Sequence, residues 1–344
     1  MRDMVELRRP ASLRFCVRSV LTLCLALVSV AIATAAAAAA AAKHPTKLTI
    51  SYSEKVGDEL ALWIAADAGY FKEQGLDVTT LYVPAQEGVP ALLSGQVKMA
   101  GIGGANAVAA EAQGAKLKYV ANFSPVYTFQ FWARPQYATA DKLKGQRVGV
   151  SSTTGSLYTA TLLALQQLGL SRSDVAIVPL GSVPNVDSAL LAGSIVAAAS
   201  HPPATYQFKQ HGFVDMVNLA QKRIPNVNTG LLAMDSYIKA NLNVVAAVVK
   251  AIVEALHREK TDRAYAESEL RDHMGIKDKT LLDFTYDFYA KEVAPSVPTP
   301  LASQLESAKQ ALGVKNPKAK IVDLKSMVDP SFVKAAVAQL RIEQ

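Results

Sequence analysis

VGVSSTTGSLYTATLLALQQLG, residues 148–169, joins a short β-branched run to a long apolar run through hydroxyl residues and a glycine. Residues 147–150 are short, β-branched and bounded by glycine, which marks a strand. Leu157, Leu162, Leu163, Leu165 and Leu168 recur at roughly helical spacing. The stretch therefore predicts strand, loop, helix, with Ser152, Thr153, Thr154, Gly155 and Ser156 at the helix N-terminus. There the first backbone N–H groups lack partners and the dipole is positive. The hydroxyls either cap the helix or help its free donors to hold a polar or anionic ligand. A Walker loop is excluded, because a lysine must follow its second glycine and Ser156 follows Gly155.

On both sides of this stretch the same alternation continues. Upstream, the patterning predicts strands over 47–53, 76–83, 99–102 and 118–122, with helices over 60–71, 89–93 and 105–113 between them. Downstream, strands over 174–178, 195–199 and 213–217 alternate with helices over 186–192 and 203–210. Extended segments over 126–134 and 226–234 bracket this second block, and from 235 onward the chain turns helical, notably over 244–257 and 279–291. Two α/β blocks in series, bracketed by two crossings, predict two hinged lobes with a cleft between them. Ligands of such sheets sit beyond the carboxyl ends of the strands. The predicted organisation is lobe 1 over 43–127, lobe 2 over 128–228, and a return to lobe 1 with C-terminal helices over 229–344.

Residues 1–42 read as a cleaved secretory signal peptide. Arg2, Arg8, Arg9, Arg14 and Arg18 form a basic region, residues 20–32 an apolar one, and the alanines at 33–42 offer small-residue cleavage sites. No later segment has the apolar length of a membrane span, so stable membrane insertion is not expected. Cys16 and Cys24, the two cysteines of the chain, both lie in the signal, so the exported part has no disulfide, zinc–cysteine site or cysteine nucleophile. The signal holds five arginines against Asp3 and Glu6, leaving the other 302 residues a formal charge of +4. Without a basic stripe, that is too little for nucleic-acid binding. The five histidines are scattered without an HExxH motif, and no GxSxG elbow joins a strand to a helix.

ALWIAADAGYFKEQGLDV (61–78), ALLSGQVKMAG (91–101), KLKGQRVGVSSTTGS (142–156) and SALLAGSIVAAASHPP (188–203) occur in that order. In order and spacing they closely resemble periplasmic substrate-binding proteins of ABC importers of the nitrate, sulfonate and taurine type, which are related to thiamine-pyrimidine synthases. Lys98 and Val196 depart from the pattern, standing where the family commonly has aspartate. The resemblance implies an α/β, two-lobed periplasmic binding protein of type II, with hinged lobes and a helical C-terminal extension packed on lobe 1. It implies a monomeric receptor without cofactor or metal, which binds a small molecule and delivers it to ABC permease transmembrane subunits. A sulfonate, taurine, nitrate or small carboxylate is the first expectation for the ligand. A neutral, aromatic or pyrimidine-type solute is the rival, because Glu54, Asp58 and Glu87 oppose an anion if they face inward. A sensory rather than transport role stays open. The family's pyrimidine-synthase chemistry needs a cysteine-rich motif that the exported chain lacks, so an enzyme is not expected.

Carried onto the strand ends, the resemblance makes Ser53, Glu54, Gln86, Gly104, Asn106, Ser152, Thr153, Thr154, Gly155, Ser156 and His201 candidate ligand contacts. Each has a structural alternative: a turn, a cap or a satisfied core histidine. Trp63 and Tyr158 are candidates to wall the ligand or to fill the core. Thr128 and Asn228 belong to the crossings, where they face the cleft or pair as hinge strands.

Overall fold

The computed structural model describes residues 45–342; the signal peptide read over 1–42 lies outside them. Five strands form the first sheet: β1 (Thr46–Tyr52), β2 (Leu76–Tyr82), β3 (Met99–Ile102), β4 (Leu117–Val126) and β10 (Pro225–Met234), in the order β2-β1-β3-β10-β4. The second holds β5 (Gln130–Ala133), β6 (Arg147–Val150), β7 (Ala176–Pro179), β8 (Ala197–Ser200) and β9 (Val214–Asn218), in the order β7-β6-β8-β5-β9. In each sheet the strand that arrives from the other lobe inserts antiparallel between two earlier or later neighbours. β5 pairs with β8 and β9, and β10 with β3 and β4. The remaining pairs, β1 with β2 and β3 and β6 with β7 and β8, are parallel.

Parallel neighbours need crossover helices. In lobe 1 these are α1 (Leu60–Asp67), α2 (Ala85–Leu93) and α3 (Gly104–Glu111); in lobe 2 they are α4 (Gly155–Gln167), α5 (Val183–Ala192) and α6 (Ala204–Gln210). The helix expected over 60–71 breaks because Gly69 takes a left-handed φ of 83°, and a separate turn, Tyr70–Glu73, follows. α5 starts three residues earlier than its apolar pattern suggests. Ser182 caps it by accepting from the Asn185 N–H, and Pro184 sits in the first turn, where its missing N–H costs nothing.

The return of the chain adds α7 (Leu242–Thr261), α8 (Arg263–Met274), α9 (Lys279–Tyr286), α10 (Glu306–Gly313) and α11 (Ser331–Leu340). α7 carries Val245, Val248, Val249, Ile252 and Leu256 along one buried stripe. That stripe packs with α1 and α11 on the first sheet, in one core with Leu62, Ile64, Trp63 and Val333. Lobe 2 has its own core around Phe129, Phe131, Val148, Val150, Tyr158 and Leu165. The expected two-lobed α/β fold with C-terminal helices on lobe 1 is present. Among the described residues no helix is long and apolar enough to cross a membrane.

Candidate functional site: the interlobe cleft

The carboxyl ends of β1, β2, β6, β7 and β8 open onto one cavity of about 410 Å³ between the lobes. Lobe 1 supplies Ser53, Glu54, Lys55, Val56, Tyr82, Pro84, Ala85 and Gln86, and lobe 2 supplies Ser151, Ser182, Val183, Pro184, Asp187, His201, Pro203, Ala204 and Gln207. The lining is mostly apolar, with its two carboxylates, Glu54 and Asp187, gathered around His201. This imidazole is buried, with Nε2 3.3 Å from Glu54 Oε2 across the cleft and Nδ1 3.3 Å from the Pro202 carbonyl. Burial disfavours the imidazolium, but the Glu54 carboxylate outweighs it, with help from Asp58 and Asp187, and the pKa of His201 rises to about 9. His201 and Glu54 thus form a charged latch between lobes. Tyr289, from the π-helical turn after α9, adds a second latch by donating to the Pro202 carbonyl at 2.8 Å. Desolvation pushes the Asp187 carboxyl up to about 6, moderated by a 2.6 Å bond from Ser200 Oγ.

Behind the latch the two crossings meet. Tyr127 N–H donates to the Ile224 carbonyl at 3.2 Å. The fully buried Asp58 accepts from Ser124 Oγ (2.5 Å), Thr128 Oγ1 (3.1 Å) and Asn228 Nδ2 (2.7 Å). Burial raises its pKa, against the lowering effect of the Ser124 bond. Thr128 and Asn228 also bond each other at 2.8 Å. These two candidates therefore form a hinge knot, although Asn228 also borders a narrow recess of the cleft.

That recess, of about 30 Å³, is where the hydroxyl-rich loop comes to rest. Ser53, Glu54, Gln86, Asn106, Ser152, Thr154, Gly155 and Ser156 line it, together with Gly103 and Asn228. Capping is not the role of these hydroxyls: Thr154 is the N-cap residue of α4 and makes no side-chain cap bond, while Ser152 Oγ donates to the Thr154 carbonyl at 2.6 Å. Gly155 has φ 87°, and a Cβ there would stand 3.2 Å from Asn106 Oδ1 of lobe 1. Asn106 Nδ2 in turn donates to the Ala85 carbonyl at 2.9 Å. The left-handed φ favours glycine here, and Asn106 leaves little room for a Cβ. Gly103 meets Ser156 so closely that a Cβ on Gly103 would overlap Ser156 Oγ, a buried hydroxyl without a hydrogen-bond partner.

Gly103→Ala should therefore push the lobes apart rather than unfold either one, since overpacking costs about 1–3 kcal/mol and opening relieves it. Small-angle scattering of the solute-free variant should give a larger radius of gyration than the wild type, at a similar melting temperature. An unchanged radius would mean that Ser156 turns aside without cost.

Four candidates stand elsewhere. Trp63 is fully buried in the lobe 1 core, and Tyr158 belongs to the core of lobe 2, so both fill interiors rather than wall the cleft. Gly104 starts α3 beneath Leu305 and Val227, one residue behind Gly103, which faces the recess. Thr153 points to solvent and borders neither cavity. Of the three acidic residues expected to oppose an anion, Glu54 lines the cavity, Asp58 is buried in the knot and Glu87 is exposed.

Sequence reasoning missed Tyr82, Ser182, Asp187 and Gln207. The strand-end rule applied to β7 would have found the Gly181–Ser182 turn, which was passed over. Asp187 and Gln207 sit on helices at positions that no local pattern distinguishes.

The two-lobed fold matches solved structures along most of the chain. A protein of Bordetella bronchiseptica RB50 aligns with a TM-score of 0.73 at 20% identity, over 86% of this chain and 98% of that one. The periplasmic aliphatic sulphonate-binding protein SsuA of Escherichia coli aligns with a TM-score of 0.68 at 20% identity, over 84% and 99%. The alkanesulfonate-binding protein SsuA of Xanthomonas axonopodis pv. citri, bound to MOPS, aligns with a TM-score of 0.66 at 22% identity, over 82% and 96%. At these identities the likeness is one of fold, that of the periplasmic binding proteins. A comparison with curated proteins found no match. The sequence pattern described as NMT1/THI5 like matches residues 58–259, from the Asp58 knot through both crossings to α7, and the chain belongs to that family.

Proposed function

We propose that the protein is the periplasmic solute-binding component of an ABC importer. It is exported by the signal peptide at 1–42, works as a monomer, and closes its lobes over a small organic solute for delivery to the permease. Binding shifts the population toward the closed form by the difference in the solute's affinity for the two states, with no covalent chemistry. The preferred solute is a hydrogen-bond donor of the pyrimidine or amine type, neutral or protonated, seated against the apolar wall of Val56, Tyr82, Val183 and Pro184.

The observation that carries this reading is the acceptor-rich end of the cavity. Glu54 and Asp187 face it, no arginine lines it among the described residues, the one lysine on its lining, Lys55, is exposed to solvent, and the His201 cation is already paired with Glu54. An anion placed about 4 Å from the Asp187 carboxylate, the one of the two not paired with His201, meets a repulsion of roughly 4 kcal/mol at an effective dielectric constant near 20. The oxyanion reading, a sulfonate, nitrate or small carboxylate, rests on a different observation: the first turn of α4 has no side-chain cap and borders the recess.

A thermal-shift panel separates the two. A solute at 100 times its dissociation constant adds about 2.7 kcal/mol of stability. Pyrimidines and small amines should raise the melting temperature, whereas sulfonates, taurine, nitrate and carboxylates should not. Asp187→Asn should then weaken the best binder by roughly 10- to 100-fold, the worth of a charge-assisted hydrogen bond. Stabilisation by a sulfonate that Asp187→Asn leaves intact or strengthens would decide for the oxyanion.

A further inference from the structure

Outside the cleft, α1 and α8 bring three metal-ligating side chains together. Asp67 closes α1, and Glu269 and His273 stand one turn apart on α8. One ligand atom from each lies within 4.8 Å of the other two. His273 Nε2 is 2.7 Å from Asp67 Oδ2 and 3.5 Å from Glu269 Oε2.

Two features separate this cluster from an ordinary surface ion pair. The imidazole lies flat on the indole of Trp63, with centroids 4.6 Å apart and planes within 3°, so a rigid core residue aims Nε2 between the carboxylates. The Glu269 side chain is only 9% exposed, yet its Oε2, directed at the cluster, has no hydrogen-bond partner. One imidazole proton cannot serve two carboxylates: it satisfies Asp67 and leaves Glu269 wanting. A buried acceptor left this way is destabilising, because it has lost its water without gaining a donor. A cation at the centre of the three would satisfy all of them.

We propose that Asp67, Glu269 and His273 form a binding site for a divalent transition-metal ion of the zinc class. Donors held about 2.0–2.2 Å from a tetrahedral zinc ion stand roughly 3.4 Å apart. The Glu269 spacing already fits, and the half-exposed Asp67 has only to draw back by less than about 1 Å. The imidazole donor favours zinc over calcium or magnesium, which prefer all-oxygen shells. Solvent at the exposed Asp67 side supplies the fourth ligand. His273 is followed by Met274, which lines the interlobe cavity, so the ion would pin the last turn of α8 to α1 at the rim of the cleft.

Isothermal titration of the chelator-treated protein with zinc chloride tests the site. The wild type should take up one equivalent. Asp67→Asn, a half-exposed change that keeps the fold, and His273→Gln should each weaken binding by at least roughly tenfold. Magnesium and calcium should give no comparable isotherm. Absence of zinc uptake by the wild type, or equal isotherms in folded Asp67→Asn and His273→Gln, would overturn the proposal.

Discussion

Asp58→Ala should lower the unfolding free energy by about 3–5 kcal/mol, read as a fall in the urea midpoint. Three donors from three separate segments, Ser124 on β4, Thr128 in the first crossing and Asn228 on β10, end on this one fully buried carboxylate. Its removal leaves the Ser124 and Thr128 hydroxyls facing a small cavity without that acceptor, while Asn228 Nδ2 keeps its bond to Thr128 Oγ1, and each orphaned buried donor costs about 1–3 kcal/mol. Asp58→Asn keeps one acceptor oxygen but turns an NH₂ group toward donors, so about half the loss is expected. Because the knot ties both crossings to lobe 1, amide exchange in residues 126–130 and 224–229 should quicken in the alanine variant. A loss below about 1 kcal/mol would mean that water replaces the carboxylate and that the knot is not a stability element.

The second large effect is a pH dependence centred on His201. Its folded pKa of about 9 lies above the ordinary 6.5, so the folded, latched state binds the proton more tightly than the unfolded chain does. The resulting stability is fully present below pH 6.5 and is lost as the pH rises through 9. A shift of this size corresponds to about 3 kcal/mol. The groups around the ring are Glu54 from lobe 1, Asp58 from the knot, Asp187 from α5 and the Tyr289 hydroxyl from the turn after α9. Asp187 changes the profile only at lower pH. Its folded pKa, about 6 against 3.8, removes stability as the pH climbs between those values. Burial also pushes the Glu259 carboxyl up to about 8, which removes stability over part of this window in both proteins; urea midpoints at pH 6.5 and 9 should therefore differ more in the wild type than in His201→Gln, with the variant falling furthest below the wild type at the lower pH. Equal slopes in the two proteins would show that the latch does not carry the charge assigned to it.

The latch and the knot also show what was readable before the fold was seen. Strand and helix order came from hydrophobic period, which is local: alternation at 47–53, helical spacing at 157–168 and the restart after 134 each reflect one face turned to a core. The two lobes followed from the extended crossings, because a chain that leaves one sheet and later returns must bridge them twice. The family resemblance, carried onto the strand ends, then placed Ser53, Glu54, Gln86, Asn106, Ser152, Thr154 and His201 near the cleft, since parallel sheets leave their ligand space at the carboxyl ends of the strands.

Pairings between segments far apart in the chain had no such signal. Nothing around Asp58 announces Asn228, 170 residues away, and nothing around Glu54 announces His201, 147 residues away. Trp63 and Tyr158 carried the chemistry of a ligand wall, but a side chain's partners depend on which helix face the sheet covers, and here the sheet covers theirs. The capping signal at Thr154 is local chemistry that the fold leaves unused, while its neighbours Gly155 and Ser156 meet Asn106 and Gly103 of the other lobe. Residue type and period thus settle elements and their order, because those interactions reach only a few residues. The acidity of the cleft, the charge on its histidine and the cluster beside Trp63 arise from charges that meet only once the chain has folded, and their strength comes from the water that folding excludes.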